Sequence, residues 1–285
     1  MPRISYVNGR YLPHRDARVH VEDRGFQFAD GIYEVMAVHE GRLIDAPRHL
    51  DRLERSLREI KMPMPMSRDA LGVIIGEVVR RNYVRRGTVY LQVTRGRARR
   101  DHAFPAAATP TVVVTARHTR AQPAAVVEEG VAVVTLPDIR WQRRDIKSTA
   151  LIANVLCRQQ AKEAGAYEAW LVDDQGFVTE GTASNAWIVT KDRRLVTRKA
   201  DTAILCGVTR LALVDIAATY EIFLEERAFT VDEAKGAAEA FLTGTTSFVL
   251  PVTAIDGHAI GDGHPGPLTR RLRSAYETMT VRGEG

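Results

Sequence analysis

Arg144-Asp-Ile-Lys147-Ser-Thr-Ala150 is a short polar segment that runs into Leu151–Ala164, which reads as a helix. The chain then turns back in a hairpin, Ala169–Val172 with Phe177–Thr179 around Asp174-Gln175-Gly176, and continues as Val178-Thr-Glu180-Gly-Thr-Ala-Ser-Asn185. Further on, Val208–Tyr220 is a helix with Leu211, Val214, Ala217 and Ala218 on or near one face. Thr230-x-x-Glu233 is a capping-box pattern, Asp256-Gly257 a hairpin turn, and Leu268–Thr280 a last helix. In the other direction, Val131–Leu136 reads as a strand. Ile4–Leu12 is a hairpin broken at Asn8-Gly9, and Tyr33–Ile44 a second one turning at Glu40-Gly41. Asp45 is placed to cap the next helix, with Pro47 in its first turn and apolar residues at Leu50, Leu53, Leu57 and Ile60. A second helix carries Leu71, Ile74, Ile75, Val78 and Val79, and strands return at Thr88–Thr94 and Thr111–Thr115. Runs of strands with helices set apart from them predict an α+β fold in two domains. The expected division is a smaller N-terminal domain over 1–118, a polar, Ala/Pro-containing linker over 119–128, and a larger domain over 129–285.

Composition excludes several classes. Of 285 residues, 45% are hydrophobic and 26% charged, which is ordinary for a globular chain and not for a disordered one. Lys plus Arg is 40 against 35 Asp plus Glu, a formal net charge of +5. That surplus invites a nucleic-acid reading, but the basic residues are dispersed and lack interleaved stacking aromatics, so no nucleic-acid partner is expected. There is no apolar run long enough to span a membrane. The start, Met1-Pro2-Arg3-Ile4, lacks the apolar stretch of a signal peptide, and two cysteines, Cys157 and Cys206, make no disulfide framework; the expected setting is the cytoplasm. No pair among the eight histidines has i, i+4 spacing, and no metal site is expected.

Gly261-Asp-Gly263-His-Pro-Gly266 fits G-x-G-x-x-G, but Pro265 removes a backbone donor and too little chain follows for a βαβ unit. Lys147 is a stronger candidate. It precedes a predicted helix N-terminus, with Ser148 or Thr149 as caps. The positive end of the helix dipole would disfavour its charged form and leave an amine able to form a Schiff base. The alternative is an ordinary surface lysine. Glu180 closes a strand beside small polar residues that let a ligand approach, and is either a turn carboxylate or the partner of a protonated ring nitrogen. Gly207-Val208-Thr209 opens a helix whose free N–H groups suit a phosphate. Gly244-Thr245-Thr246-Ser247 is a second small, hydroxyl-rich turn. Arg52 adds charge-assisted donors, and Arg100-Asp-His102 makes a carboxylate trap or one more basic loop. Together these are the groups that a pyridoxal phosphate enzyme requires of its protein.

The sequence resembles the class IV, fold-type IV pyridoxal-phosphate aminotransferases, and within them the D-amino-acid branch. The likeness is carried by several stretches in the family's order. They are Glu22-Asp-Arg-Gly-Phe-Gln-Phe-Ala-Asp-Gly-Ile-Tyr-Glu-Val35, His49-Leu-Asp-Arg-Leu53, Gln92-Val-Thr-Arg-Gly96 with Arg100-Asp-His-Ala-Phe-Pro105, and Asp138-Ile-Arg-Trp141 through Asp145-Ile-Lys-Ser148. Thr179-Glu-Gly181 with Ser184-Asn185, Gly207-Val-Thr-Arg210 and Thr243-Gly-Thr-Thr-Ser247 complete the set. The resemblance implies a two-domain fold of mixed sheets, with a barrel and surrounding helices. It implies Lys147 as Schiff-base lysine and proton carrier, Glu180 as partner of the pyridine nitrogen, and Leu205 behind the ring. Arg52, Val208, Thr209 and Thr245 would bind phosphate, and Tyr33, Arg100 and His102 the substrate carboxylate. The implied activity is transamination from a D-amino acid, D-alanine expected, to a 2-oxo acid, 2-oxoglutarate expected, in a homodimer. Alternatives within the same fold are an L-branched-chain or (R)-amine aminotransferase and an aminodeoxychorismate lyase-type enzyme. Asp101 departs from the expected trap, because it could pair with Arg100, while Arg97 and Arg99 would favour acidic substrates.

Overall fold

A computed structural model describes residues 3–282, so Met1 and Pro2 of the start quoted above lie outside the described residues. The chain divides into two units: Met1–Ala121 with Ile146–Ala150, and Gln122–Asp145 with Leu151–Gly285.

The first unit holds β1 (Ile4–Val7), β2 (Arg10–Pro13), α1 (Arg24–Phe28), β3 (Gly31–His39), β4 (Arg42–Leu43), α2 (Ala46–Glu59), α3 (Arg68–Arg81), β5 (Arg86–Thr94) and β6 (Thr111–His118). Its strands form one six-stranded sheet in the order β2-β1-β6-β5-β3-β4. Asn8 at φ 46° with Gly9 at 87°, and Glu40 at 50° with Gly41 at 79°, make the two tight hairpin turns that the sequence calls for. Along β3, Ile32, Glu34, Met36 and Val38 are buried at alternate positions, and α2 presents His49, Arg52, Leu53, Ser56 and Leu57 inward. Asp45 occupies the N-cap position of α2 but makes no side-chain cap bond, because it sits at φ 52°, outside the extended conformation in which a cap side chain reaches the first turn. Ser67 does cap α3, accepting from the Ala70 N–H at 3.3 Å.

Gly96, just after β5, has φ +89°, and a Cβ there would lie 1.9 Å from the Thr109 carbonyl oxygen. Gly72, inside α3, has nothing within 4 Å of the same position. Gly96→Ala is therefore expected to cost at least about 2 kcal/mol, since neither the backbone conformation nor the opposing carbonyl can yield cheaply. Gly72→Ala is expected to be neutral or to stabilise by up to about 1 kcal/mol. Denaturant midpoints of the two variants check this, and equal midpoints would contradict it.

The second unit contains α4 (Ala124–Glu129), β7 (Val131–Pro137), α5 (Ile152–Glu163), β8 (Glu168–Val172), β9 (Val178–Gly181), β10 (Asn185–Val189), β11 (Leu195–Thr197), α6 (Val208–Thr219), β12 (Leu224–Glu226), α7 (Val231–Lys235), β13 (Glu239–Gly244), β14 (Phe248–Ile255), β15 (His258–Ala259) and α8 (Pro267–Arg282). Its nine-stranded mixed sheet runs β12-β11-β10-β13-β14-β7-β8-β9, with β15 on β14. Both faces are buried. Ala186, Ile188, Ala240 and Leu242 pack with Trp170, Phe229 and Leu250 on one side. Trp187 and Phe241, stacked at 5.5 Å, pack with Leu213 and Ile216 of α6 and Leu272 of α8 on the other. This sandwiching explains why β10 and β13 read as continuous apolar runs rather than alternating ones. The fold is α+β. The structure departs from the sequence reading over residues 111–129: β6 continues to His118, and Ala124–Glu129 is helical, a short turn that Pro123 opens. No helix among the described residues is long and apolar enough to cross a membrane.

Candidate active site

In the first unit, Lys147 does not sit at a helix end. The first helical residue of α5 is Ile152, its N-cap is Leu151, and no side chain caps it. Because the dipole effect is confined to the first turn, it does not act on Lys147. Ser148 and Thr149, expected as caps, do other work: the Ser148 hydroxyl accepts from the Ala150 N–H, and the Thr149 hydroxyl donates to the Ala29 and Gly31 carbonyls. The segment pairs instead with the start of β3. Ser148 bridges Ile32, the Tyr33 N–H donates to the Lys147 carbonyl at 3.0 Å, and the Thr149 N–H donates to the Gly31 carbonyl at 3.0 Å. This fixes the Lys147 side chain over the Tyr33 ring, with Nζ 4.3 Å from its centroid, and Tyr33 in turn stacks on Tyr90 at 5.7 Å.

Arg52 is held by a carboxylate the sequence reading passed over, and its helix α2 also meets the Lys147 segment, where the Lys147 N–H donates to the Ser56 hydroxyl at 3.3 Å. Glu34, wholly buried, accepts from Arg52 Nε at Oε1 and from Nη2 at Oε2, at 2.8 Å each, and His49 Nδ1 lies 2.7 Å from Oε2. Burial pushes the Glu34 carboxyl upward, but the Arg52 guanidinium and the His49 hydrogen bond overcome it and hold the group at about 2. Burial lowers the His49 pKa, which Arg52 and Lys147 reinforce against the pull of Glu34. A glutamate at an alternate position of the apolar row Ile32–Val38 was the signal available.

Arg100 and His102 come together on one ring. The Arg100 guanidinium lies 4.8 Å from the Phe28 centroid, and the His102 ring lies 5.5 Å from it. Asp101 turns back on its own loop: its Oδ1 accepts from the Ala103 N–H at 3.1 Å, an Asx turn, while Arg100 rests on Phe28. Arg95, Asp30 and Arg24 form a buried ion-pair cluster beneath this loop.

In the second unit, Glu180 is the next-to-last residue of β9, and every polar contact it makes is with a donor. Arg140 Nη1 reaches Oε1 at 2.5 Å, Asn185 Nδ2 reaches Oε2 at 3.0 Å, and the Leu205 N–H reaches both oxygens at 3.2 and 3.1 Å. Burial raises the Glu180 pKa, with Arg140 and the Leu205 N–H pulling the other way. Arg140 is itself clamped by Asp138, which also pairs with Arg144 and accepts from Thr179. Asn185 ties this group to the helix start: its amide also donates to the Leu205 carbonyl, and a Cβ on Gly207 would lie 2.1 Å from Asn185 Oδ1. Gly207 is the N-cap of α6 with no side-chain cap, so the N–H groups of Val208 and Thr209 have no partner within the helix. Thr245 lies in the turn between β13 and β14. There a Cβ on Gly244 would meet the Ser247 hydroxyl at 3.0 Å and the Ala183 carbonyl at 3.4 Å. Glu180, Leu205, Val208, Thr209 and the Thr245 turn are thus linked through Asn185 and the 183–184 backbone. Among the described residues, no group of three His, Cys, Asp or Glu is placed to hold a metal ion.

The Lys147 amine suits an aldehyde, and the buried carboxylate beside donors only suits a ring N–H. The uncapped start of a 12-residue helix and the oriented guanidinium both suit a phosphate. Comparison with known proteins agrees. A family model described as amino-transferase class IV matches residues 31–255. The chain is 42% identical over 274 residues to the D-alanine aminotransferase of Bacillus licheniformis, covering 96% of each. It is 38% identical over 273 residues to that of Staphylococcus aureus (strain N315), covering 95% of this chain and 96% of the relative. A branched-chain amino acid aminotransferase from T.th., solved with pyridoxamine 5'-phosphate, superposes with a TM-score of 0.89 at 26% identity, over 99% of this chain and 95% of that one. The 4-amino-4-deoxychorismate lyase of Pseudomonas aeruginosa does so at 0.83 and 28%, over 96% and 98%. The chain belongs to the class IV aminotransferases.

Proposed function

We propose that this pyridoxal-phosphate-dependent aminotransferase is a D-amino-acid transaminase, taking the amino group of D-alanine and passing it to 2-oxoglutarate. The observation that carries the reading is the Arg100–His102 pair gathered on Phe28, two N–H donors suited to one α-carboxylate. The identity to D-alanine aminotransferases over nearly the whole chain supports it.

When bound, the cofactor supplies an electron sink for the charge left on the substrate Cα. Lys147 would supply the amine that holds the cofactor aldehyde and would move a proton at the substrate Cα. Glu180 would accept the ring N–H and keep it protonated, and Leu205 would pack against the ring. In the first unit Arg52, oriented by Glu34, would offer its guanidinium to a phosphate, and in the second the N–H groups of Val208 and Thr209 and the Thr245 hydroxyl would offer theirs. Tyr33, Arg100 and His102 hold the α-carboxylate and so decide which face of Cα meets Lys147, making handedness an effect of positioning. The enzyme works in the cytoplasm as a homodimer; Ile152, Val155 and Leu156, exposed together on α5, support a covered apolar face.

A substrate panel tests the reading. D-alanine with 2-oxoglutarate is expected to give pyruvate at rates at least about 100-fold above L-leucine, the discrimination that a fixed carboxylate site supports. Turnover of L-leucine or of an (R)-amine in preference to D-alanine would overturn it.

A further inference from the structure

The segment Asp23-Arg-Gly-Phe-Gln-Phe28 has no part in the chemistry above, yet it contains a charged side chain that is 3% exposed, Arg24. A buried guanidinium is costly unless every donor is engaged. Here Nε donates to Asp30 Oδ2 at 2.7 Å. Nη1 donates to the Asp101 carbonyl at 2.5 Å and the Ala103 carbonyl at 3.3 Å, and Nη2 to the His102 carbonyl at 3.3 Å. Three consecutive carbonyls of the loop that carries Arg100 and His102 therefore converge on one side chain. The bonds take the loop's backbone and leave the Arg100 and His102 side chains to meet a ligand.

The same short helix supplies the second hold. Phe28 lies one turn beyond Arg24, on the same face, and carries the Arg100 guanidinium at 4.8 Å, the His102 ring at 5.5 Å and the Arg24 guanidinium at 4.9 Å. The helix is itself pinned. Asp23 caps it by accepting from the Gly25 N–H at 2.8 Å and also accepts from the Thr94 hydroxyl at 2.7 Å. A Cβ on Gly25 would lie 2.2 Å from Thr94 Cγ2, so only glycine lets the helix lie flush on the end of β5. Asp30 shares its carboxylate with Arg95, which donates onward to the Ile60 carbonyl at 2.7 Å and the Lys61 carbonyl at 3.3 Å, at the end of α2. The loop has little anchor of its own. Residues 99–104 are exposed, and Phe104 rests on Arg95 at 3.7 Å.

We propose that Arg24 and Phe28 are positioning residues that place Arg100 and His102 for the substrate α-carboxylate, and so govern affinity for the amino-acid substrate. The proposal rests on the reading of Arg100 and His102 given above.

Arg24→Gln keeps a polar side chain but loses the fork that reaches the carbonyls. In the holoenzyme it is expected to raise KM for D-alanine about tenfold or more while kcat stays within about twofold, the mark of a lost ground-state contact. Cofactor content and the visible absorption spectrum stay as in the wild type, and hydrogen exchange at the Ala103 amide accelerates. Arg24→Lys, one donor group in place of a fork, falls between. Phe28→Leu, which leaves every Arg24 hydrogen bond in place, raises KM in the same way and keeps the test open if Arg24→Gln does not fold. KM unchanged in both Arg24→Gln and Phe28→Leu overturns the proposal, as does a joint loss of kcat and cofactor content. Arg100→Ala separates the two levels: if it raises KM and Arg24→Gln does not, positioning alone fails. If Arg100→Ala itself leaves KM unchanged, the carboxylate reading fails.

Discussion

Lys147→Ala is expected, on the role proposed above, to lower kcat for D-alanine transamination by at least about 10⁴-fold, because both the covalent hold on the cofactor and the proton transfer at Cα would be lost. The fold gives this substitution a clean interpretation. The bonds that place the segment on β3 use the Lys147 carbonyl and the Thr149 N–H, neither of which depends on the Lys147 side chain. The Tyr33 ring loses only the ammonium 4.3 Å from its centroid. Thermal stability without cofactor should therefore move little. Lys147→Arg sharpens the test, since it restores the cation over Tyr33 and still lacks an amine that can bond an aldehyde. It should be as inactive as the alanine variant. Activity within about tenfold of wild type in either variant, measured by steady-state pyruvate formation, would remove Lys147 from the chemistry.

The parts of the molecule that were legible in the sequence are those governed by neighbours in the chain. Asn8-Gly9 and Glu40-Gly41 turn where positive φ is needed, and α2, α3 and α6 follow their apolar spacing. Glu180, the start of α6 and the Thr245 turn were readable because a strand end, a helix start and a turn are local features. Lys147 shows the limit. Local reasoning placed it at a helix end; the structure places it beside a bridge between Ser148 and Ile32, its own carbonyl accepting from the Tyr33 N–H, a pairing across more than a hundred residues that Ser148 and Thr149 do not signal by alternation. The partners of Arg52 and Arg24 were hidden for the same reason. Glu34 meets Arg52 only when β3 and α2 pack, and the Arg24 donors reach carbonyls more than seventy residues away. Buried charges are the residues whose roles depend most on such contacts, since each must find its counter-group or forfeit stability.

Glu180 offers the second large effect, and its sign follows from its surroundings. Burial raises its pKa above the usual carboxylate range, Arg140 and the Leu205 N–H oppose that rise, and Asp138 adds to it. On the role proposed above, the ionised form is the one that would accept the ring N–H. Activity should therefore fall as pH drops through the raised value, giving an acid limb that starts above the ordinary glutamate range. Glu180→Gln removes the charge and the limb together, and is expected to lower kcat by about 10²- to 10³-fold at neutral pH, the scale of losing one preorganised electrostatic partner. Arg140→Gln acts in a different way. Arg140 touches Glu180 Oε1 at 2.5 Å and is clamped by Asp138, so its loss takes away the cation that favours the carboxylate while leaving Glu180 in place. The acid limb should then move to higher pH, with activity recovered as pH rises. Rate profiles of the three proteins from about pH 5 to 9 read both effects. A limb in Glu180→Gln matching wild type would take Glu180 out of that titration, and one unmoved in Arg140→Gln would mean that Arg140 does not tune it.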